Sequence, residues 1–119
     1  MEPVKGKEKR YWVALFVGPH GCGKRELREV PKAHPVTIAG WEHLDLFASR
    51  LTWYETGVKL GTWRVCEGTT GTAIGPAART RAEAVQMAKD ALAQHGKGWI
   101  GEALEEVSNK YGLTPRYTD

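Results

Sequence analysis

The order of apolar and polar positions predicts strands in the first two thirds of the chain and helices in the last third. Residues 11–17 are aromatic, aliphatic or β-branched and lead into a glycine-rich segment, which is typical of a strand. Residues 25–30 mix charged and apolar side chains, which we interpret as a strand, and Pro31 ends the run. We therefore expect residues 25–30 to pair back on residues 11–17 as a hairpin, followed by a break at 31–35.

The middle of the chain carries a weaker strand signal. Residues 36–39 form a short apolar and β-branched run that ends at Gly40, and we predict a strand there. Residues 41–53 fit both a helical and an alternating period. We favour a strand over about 44–53, because the segments on both sides are predicted strands. The glycines within 55–61 then predict a loop.

The clearest local signals begin at residue 62. Residues 63–67 alternate as a strand does, and the sequence Gly-Thr-Thr-Gly at 68–71 is typical of a turn. Residues 72–74 are predicted to return as the next strand. Residues 75–78 are then expected to lead into a helix.

Two helices are predicted at the C-terminal end. Thr80 and Glu83 have the spacing of a capping box, in which the Thr hydroxyl accepts an orphan backbone N–H at the helix start. Gly96 is placed to end this helix. Residues 99–111 carry apolar side chains at the spacing of one helix face, and Gly112 ends the second helix.

Strands first and helices last predict an α+β protein: an antiparallel β-sheet of about five strands followed by two C-terminal α-helices packed on one face. Residues 1–9 are polar and charged with no period, and we expect a disordered basic tail there. Residues 10–119 are then expected to form a single α+β domain, a normal size for one hydrophobic core.

Basic side chains are concentrated at the N-terminal end. The 119 residues carry a net charge of +3; residues 1–32 hold eight basic and four acidic side chains, and the remainder holds nine and ten. Such an end suits an anionic partner. The two cysteines lack the spacing of metal ligands, and no stretch has the length and apolarity of a membrane span. No secretion signal is evident, so we expect a cytoplasmic protein. We also expect no cofactor.

Residues 18–25, Gly-Pro-His-Gly-Cys-Gly-Lys-Arg, come close to a phosphate-binding loop. They meet the pattern G-x-x-x-x-G-K-[ST] except at the last position, where Arg25 replaces the hydroxyl residue that ligates Mg²⁺. Arg25 has donors only, and the strand that we predict beyond it leaves no helix N-terminus beneath the phosphates. We therefore interpret the segment as a hairpin loop and keep a nucleotide-binding enzyme that uses it as an alternative function.

The stretch from Gly71 through Ala84 and onward, part of a resemblance that covers about 35 residues, resembles the C-terminal half of a double-stranded RNA-binding domain. That family has a hairpin and a glycine-containing loop before a Ser/Thr-capped helix with alanines on its buried side. Thr80 matches the cap, and Ala84 and Ala88 match the small residues. Arg81 matches one of the family's phosphate-contacting basic positions, and the other such positions are not basic here. The resemblance implies contact with nucleic-acid phosphates.

The chain is also similar to small accessory proteins of phages and mobile elements. The shared pattern is Trp-x-Val-x-Glu, then Thr-Gly, a short apolar strand and a Thr-Arg-x-Glu-Ala helix. Its positions here are Trp63, Val65, Glu67, Thr70, Gly71, Ile74, Thr80, Arg81, Glu83 and Ala84. The resemblance implies host takeover, DNA handling or inhibition of a host defence, and it carries no catalytic residue.

Together these signals favour a non-catalytic binding protein that contacts or occludes a nucleic acid or a nucleic-acid-handling protein. A structural or scaffold protein is a further alternative. No catalytic or metal-ligating set is predicted. The expected contacts with an anion or partner are Lys24, Arg25, Arg28 and Arg81.

The five tryptophans are a high number for a chain of this length. Trp41 and Trp53 flank the ambiguous segment and are candidate aromatic contacts, either for protein recognition or for base stacking. The other three are expected in the core: Trp12, Trp63 and Trp99.

Overall fold

A computed structural model describes residues 10–16, 25–30, 32–50, 61–115 and 117. Over these ranges the elements are β1 (Tyr11–Phe16), β2 (Arg25–Val30), β3 (Ala33–Val36), β4 (Leu46–Arg50), β5 (Trp63–Glu67), β6 (Ala73–Ala78) and α1 (Arg81–Tyr111). The predicted α+β class is confirmed. The predicted single sheet of about five strands is wrong, because six strands form two antiparallel sheets. One is the pair β1–β2, and the other has the order β3-β4-β5-β6.

The hairpin β1–β2 and the helix α1 lie on opposite faces of the four-stranded sheet. Successive side chains of a strand point to opposite faces. On β4, Leu46 and Ala48 join a buried cluster with α1 residues such as Leu92. Phe47 between them joins a second cluster with Tyr11, and the two rings are 4.5 Å apart. Residues 25–30 do pair with β1 as predicted, and the hairpin forms a separate layer instead of extending the larger sheet.

Several strand boundaries differ from the predictions. The strand predicted at 36–39 is wrong beyond its first residue, because β3 ends at Val36. β3 includes Pro35, within the expected break at 31–35, because β3 is an outer strand where a missing N–H removes no ladder bond. β6 continues to Ala78, through residues that were expected to lead into the helix. It does so with a bulge against β5, at which Gly75 takes a left-handed φ of 83°. The preference for a strand over a helix at β4 is confirmed, and residues 51–60 lie outside the described ranges.

The helix signals in the sequence are confirmed. Thr80 is the N-cap, and its Oγ1 accepts a hydrogen bond from the Glu83 N–H at 3.1 Å. Gly96 has a non-helical φ of 78° and divides α1 into two helices, 81–95 and 97–111. We call this bend the elbow. Gly112 ends the second helix with a φ of 85°, and its N–H donates to the Ser108 carbonyl at 2.8 Å.

A buried carboxylate organises the turn between β5 and β6. The Glu67 side chain accepts hydrogen bonds from the backbone N–H groups of Thr69 (2.8 Å) and Thr70 (3.1 Å). It also accepts from both threonine hydroxyls. Thr114, beyond α1, donates its hydroxyl to the Gly68 carbonyl at 2.6 Å. The end of the described chain therefore fastens the turn from which β6 starts.

Strand β1 passes very close to the same turn. The Ala14 N–H donates to the Gly71 carbonyl at 3.0 Å. A Cβ added to Gly71 would lie 2.8 Å from the Ala14 nitrogen and 2.9 Å from the Trp12 carbonyl oxygen. Only glycine fits this contact, which holds the hairpin layer against the sheet.

Candidate functional site

One end of the four-stranded sheet aligns an arginine with a tryptophan on neighbouring strands. Arg50 of β4 is directly opposite Trp63 of β5, and Trp63 is opposite Ala78 of β6. Opposite residues of an antiparallel pair share a face, and here it is the face that carries α1. Trp63 is half-buried, packed partly against the core beneath α1. Arg50 is exposed, and its Nε donates to the Gly61 carbonyl at 3.3 Å.

Two further arginines come from the start of α1. Arg81 is the first helical residue, and its guanidinium carbon lies 6.0 Å from the centre of the Trp63 ring. Arg79 directly follows Ala78 at the end of β6, and both arginines are exposed. His34 of β3 also reaches the indole, with ring centres 5.6 Å apart. We call Arg50, Trp63, Arg79 and Arg81 the arginine–tryptophan patch.

Acidic groups are unevenly placed relative to this patch. Glu83 follows in the first turn of α1 and is the acidic residue nearest to Arg81 in sequence. Glu67 is paired with Leu46 at the other end of β5, and Asp45 immediately precedes that residue. The four-stranded sheet thus has a cationic end and an acidic end. The cationic end can attract an anionic ligand.

The structure separates the basic residues that the sequence selected. Arg81 belongs to the patch, whereas Arg28 lies on β2 in the hairpin layer, on the other side of the four-stranded sheet. Arg28 is exposed, and its Nε is 3.5 Å from Oε1 of Glu26. Arg25 begins β2, and Lys24 lies outside the described residues. The chain after the glycine-rich segment is therefore a strand, not the helix that a phosphate-binding loop requires.

The tryptophans are distributed differently from the prediction. Trp12 is buried as expected and Trp63 is half-buried, but Trp99 has 50% of its surface exposed. Trp41, a predicted contact, is half-buried against the helix-side core and stacks on His43 with ring centres 6.0 Å apart. Trp53, the other predicted contact, lies outside the described residues.

Arg50 and Arg79 are the patch residues that sequence reasoning missed. Arg79 was identifiable, because Arg79 and Arg81 flank the predicted N-cap Thr80 and must lie together at the helix start. Arg50 was not, since its position beside Trp63 depends on the register of β4 and β5. No local pattern in 41–53 specifies that register.

A second surface feature is an apolar cleft of about 350 Å³ between β6 and the elbow of α1. Residues from β6 and from both helices line it, among them Ile74, Leu92, Ile100, Leu104 and Val107. Trp99 also lines this cleft, and its ring stacks on His95 at 4.2 Å with an interplanar angle of 26°. The prediction that Trp99 lies in the core is wrong, because on this helix the neighbouring Ile100 is the side chain that is buried.

Searches of the described residues for a metal site and for a membrane-spanning helix, and of known proteins for similar ones, gave negative results. Within the ranges that the structure describes, no three His, Cys, Asp or Glu side chains are grouped so that they could hold a metal ion. The same ranges contain no helix with the length and apolarity needed to cross a membrane. Comparisons of the chain with protein-family models, curated protein sequences and solved structures gave no match.

Proposed function

We propose that this protein is a non-catalytic binding protein that contacts the phosphate backbone of a nucleic acid through the arginine–tryptophan patch. The observation that carries the proposal is the placement of Arg50 opposite Trp63 and of Arg81 over its ring, with Arg79 one residue beyond Ala78, the other cross-strand partner of Trp63. Guanidinium groups present several donors in a fixed plane and remain charged at all physiological pH values, so they suit phosphate oxygens.

The geometry supports a polymeric anion better than a single small one. The three arginines come from two places in the chain: Arg50 ends β4, and Arg79 and Arg81 flank the N-cap of α1. All three are exposed, and they lie along the end of the sheet instead of lining a closed pocket. A row of cations of this kind matches phosphates repeated along a backbone.

Trp63 contributes by positioning Arg81. A guanidinium over an indole face is attracted to the ring, which restricts the side chain before a ligand arrives. A side chain held in place loses less conformational entropy on binding than a free one. The half-buried indole, fixed by the core beneath it, is therefore a support for the arginine.

The test is fluorescence anisotropy with labelled DNA of about 20 nucleotides, single-stranded and duplex, at salt concentrations from about 50 to 200 mM. Three phosphate contacts predict a slope of about −2.7 for log affinity against log salt on duplex DNA. The double variant Arg79→Gln/Arg81→Gln should reduce that slope by about 2. The matched control is Arg28→Gln, which removes an exposed arginine from the hairpin layer and should change nothing.

The outcomes distinguish a nucleic-acid partner from a protein partner, and contact through the arginine–tryptophan patch from contact through the hairpin layer. Absence of binding at the lowest salt, or binding that ignores salt, would overturn the nucleic-acid proposal and leave a protein as the partner class. Loss of affinity in Arg28→Gln together with normal binding by the double variant would move the contact to the hairpin layer, away from the arginine–tryptophan patch. Circular dichroism of each variant checks that the fold is retained.

A further inference from the structure

The apolar cleft at the elbow is a binding surface that the nucleic-acid proposal does not use. Its walls come from residues 72–76, at the start of the outer strand β6, from residues 91–95 of the first helix and from residues 99–107 of the second. Its volume of about 350 Å³ lies at the lower end of the range of ligand pockets, about 300–1,000 Å³. A cleft of this size accommodates a few apolar side chains.

Trp99 stands beside the cleft as an exposed aromatic wall. Half of its surface is accessible, and the stacking on His95 fixes the orientation of the indole. Aromatic side chains held in one position are the residues that dominate binding energy at protein interfaces. Exposure of so large an apolar ring beside an apolar cleft is typical of a recognition surface.

The rim of the cleft is acidic on the Trp99 side. Glu102 and Glu106 follow Trp99 by three and seven residues, so they lie on the same side of the second helix. Both are exposed, and with Glu105, Asn109 and Lys110 they line a shallow neighbouring depression. The two carboxylates on the Trp99 side and one ammonium group leave this rim with a net negative charge. The complementary ligand therefore carries basic groups beside its apolar one.

The edge of β6 favours an extended ligand. β6 is the last strand in the order β3-β4-β5-β6, and among the described residues β5 is its one sheet neighbour. An extended peptide can add to such an edge through backbone hydrogen bonds while alternate side chains enter a neighbouring pocket. Pro76 has no N–H, so this pairing is confined to the stretch of β6 before the bulge.

We propose that this cleft binds an extended peptide segment of a partner protein, with one large apolar side chain in the cleft and Lys or Arg beside it. The cleft takes the apolar side chain against Trp99, and Glu102 and Glu106 pair with the basic groups. This interaction is independent of nucleic-acid binding, so failure of one proposal leaves the other standing.

The test begins with selection of displayed random short peptides on the immobilised full chain. The enriched peptides are then synthesised and titrated by calorimetry against the wild type and three variants. They should share a large apolar residue flanked by Lys or Arg, and Trp99→Ala should weaken them by about tenfold or more. The double variant Glu102→Lys/Glu106→Lys should weaken them similarly. Glu26→Lys, a single substitution of the same kind on the exposed hairpin layer, is the control and should bind normally.

Several results would overturn this inference. A selection that enriches no peptide, or only peptides without basic residues, contradicts the proposed occupant. Peptides that bind Trp99→Ala as tightly as the wild type contradict it as well. The other possible occupant of the cleft is a second copy of this chain, and sedimentation equilibrium tests for it by measuring the oligomeric state. A concentration-dependent dimer that Trp99→Ala abolishes would assign the cleft to self-association instead.

Discussion

Replacing Glu67 by Ala should destabilise the protein by about 2–4 kcal/mol. The substitution leaves the backbone N–H groups of Thr69 and Thr70 without their acceptor, in residues that are 7% and 0% exposed. A buried N–H without a partner costs about 1–3 kcal/mol, and there are two. The hydroxyls lose less, since Thr70 Oγ1 retains Thr72 Oγ1 at 2.8 Å. The Ala variant no longer has the cost of burying the Glu67 carboxylate, which offsets part of the lost stability. The net destabilisation is therefore in the stated range.

The assay is urea unfolding at neutral pH, followed by far-ultraviolet circular dichroism. Glu26→Ala is the matched control, because it removes a half-exposed carboxylate from the hairpin layer and should cost less than about 0.5 kcal/mol. A loss below about 1 kcal/mol for Glu67→Ala would refute the assignment of Glu67 as the acceptor that holds the turn. Since this turn starts β6, the same variant should also weaken peptide binding at the cleft.

The pH dependence tests the same group with a defined sign. Burial raises the pKa of Glu67 above its ordinary value of 4.5, against the opposing effect of the hydrogen bonds from Thr69 and Thr70. A raised pKa in the folded state means that protonation favours folding. The stabilisation that protonated Glu67 adds to the free energy of unfolding is complete below pH 4.5, and it is lost as the pH rises through the raised pKa.

Glu67→Gln lacks this titration and serves as the reference. The unfolding free energy of the wild type, minus that of Glu67→Gln, should therefore increase as the pH falls from about 8 to 4.5. A difference that shrinks on acidification would show that the hydrogen bonds outweigh burial and that the pKa is lowered. Both proteins carry all other ionisable groups, so their contributions cancel in the difference.

Three further substitutions test the packing of the layers, each measured by urea unfolding. Ser49→Ala should stabilise the fold by about 1 kcal/mol, because its buried Oγ has no hydrogen-bond partner among the described residues; a loss would contradict this. Gly71→Ala should lower the free energy of unfolding by more than about 2 kcal/mol, since its Cβ would lie 2.8 Å from the Ala14 nitrogen. A neutral effect would show that the hairpin layer can shift to accommodate the Cβ. Thr114→Val should cost about 1–2 kcal/mol through the lost bond to the Gly68 carbonyl, and an unchanged midpoint would refute that role.

Local signals in the sequence were sufficient to predict several of the secondary-structure elements. The N-cap at Thr80, the helix end at Gly112 and the hairpin of β1 with β2 follow from residue spacing, and the structure has all three. Each depends on contacts within a short stretch of chain or on one periodic pattern. These are interactions that a single sequence records directly.

Arrangement of the elements was less predictable. The mixture of charged and apolar side chains in residues 25–30 was interpreted as a strand, but it carries no information on whether that hairpin extends a sheet or covers its face. The exposure of Trp99 has a similar cause. An apolar stripe predicts which helix face is buried, but the elbow at Gly96 sets the direction of the second helix independently of the first. The candidate sites depend on such long-range placement, which explains why Arg81 alone, among the predicted contacts that the structure describes, lies in the patch.

The fold gives little reason for the position of Arg79 and Arg81, which fits the proposed contact with an external partner. Cations at a helix N-terminus oppose the helix dipole at a cost of about 0.3–1 kcal/mol. The contact of Arg81 with Trp63 returns a similar amount, about 0.5–1 kcal/mol for an exposed cation–π pair. These two effects nearly cancel, so the fold gains little from Arg81 and less from the exposed Arg79. Removing both arginines should therefore leave the unfolding free energy within about 1 kcal/mol of wild type while reducing affinity for DNA. A large loss of stability in that variant would instead assign these arginines to the fold.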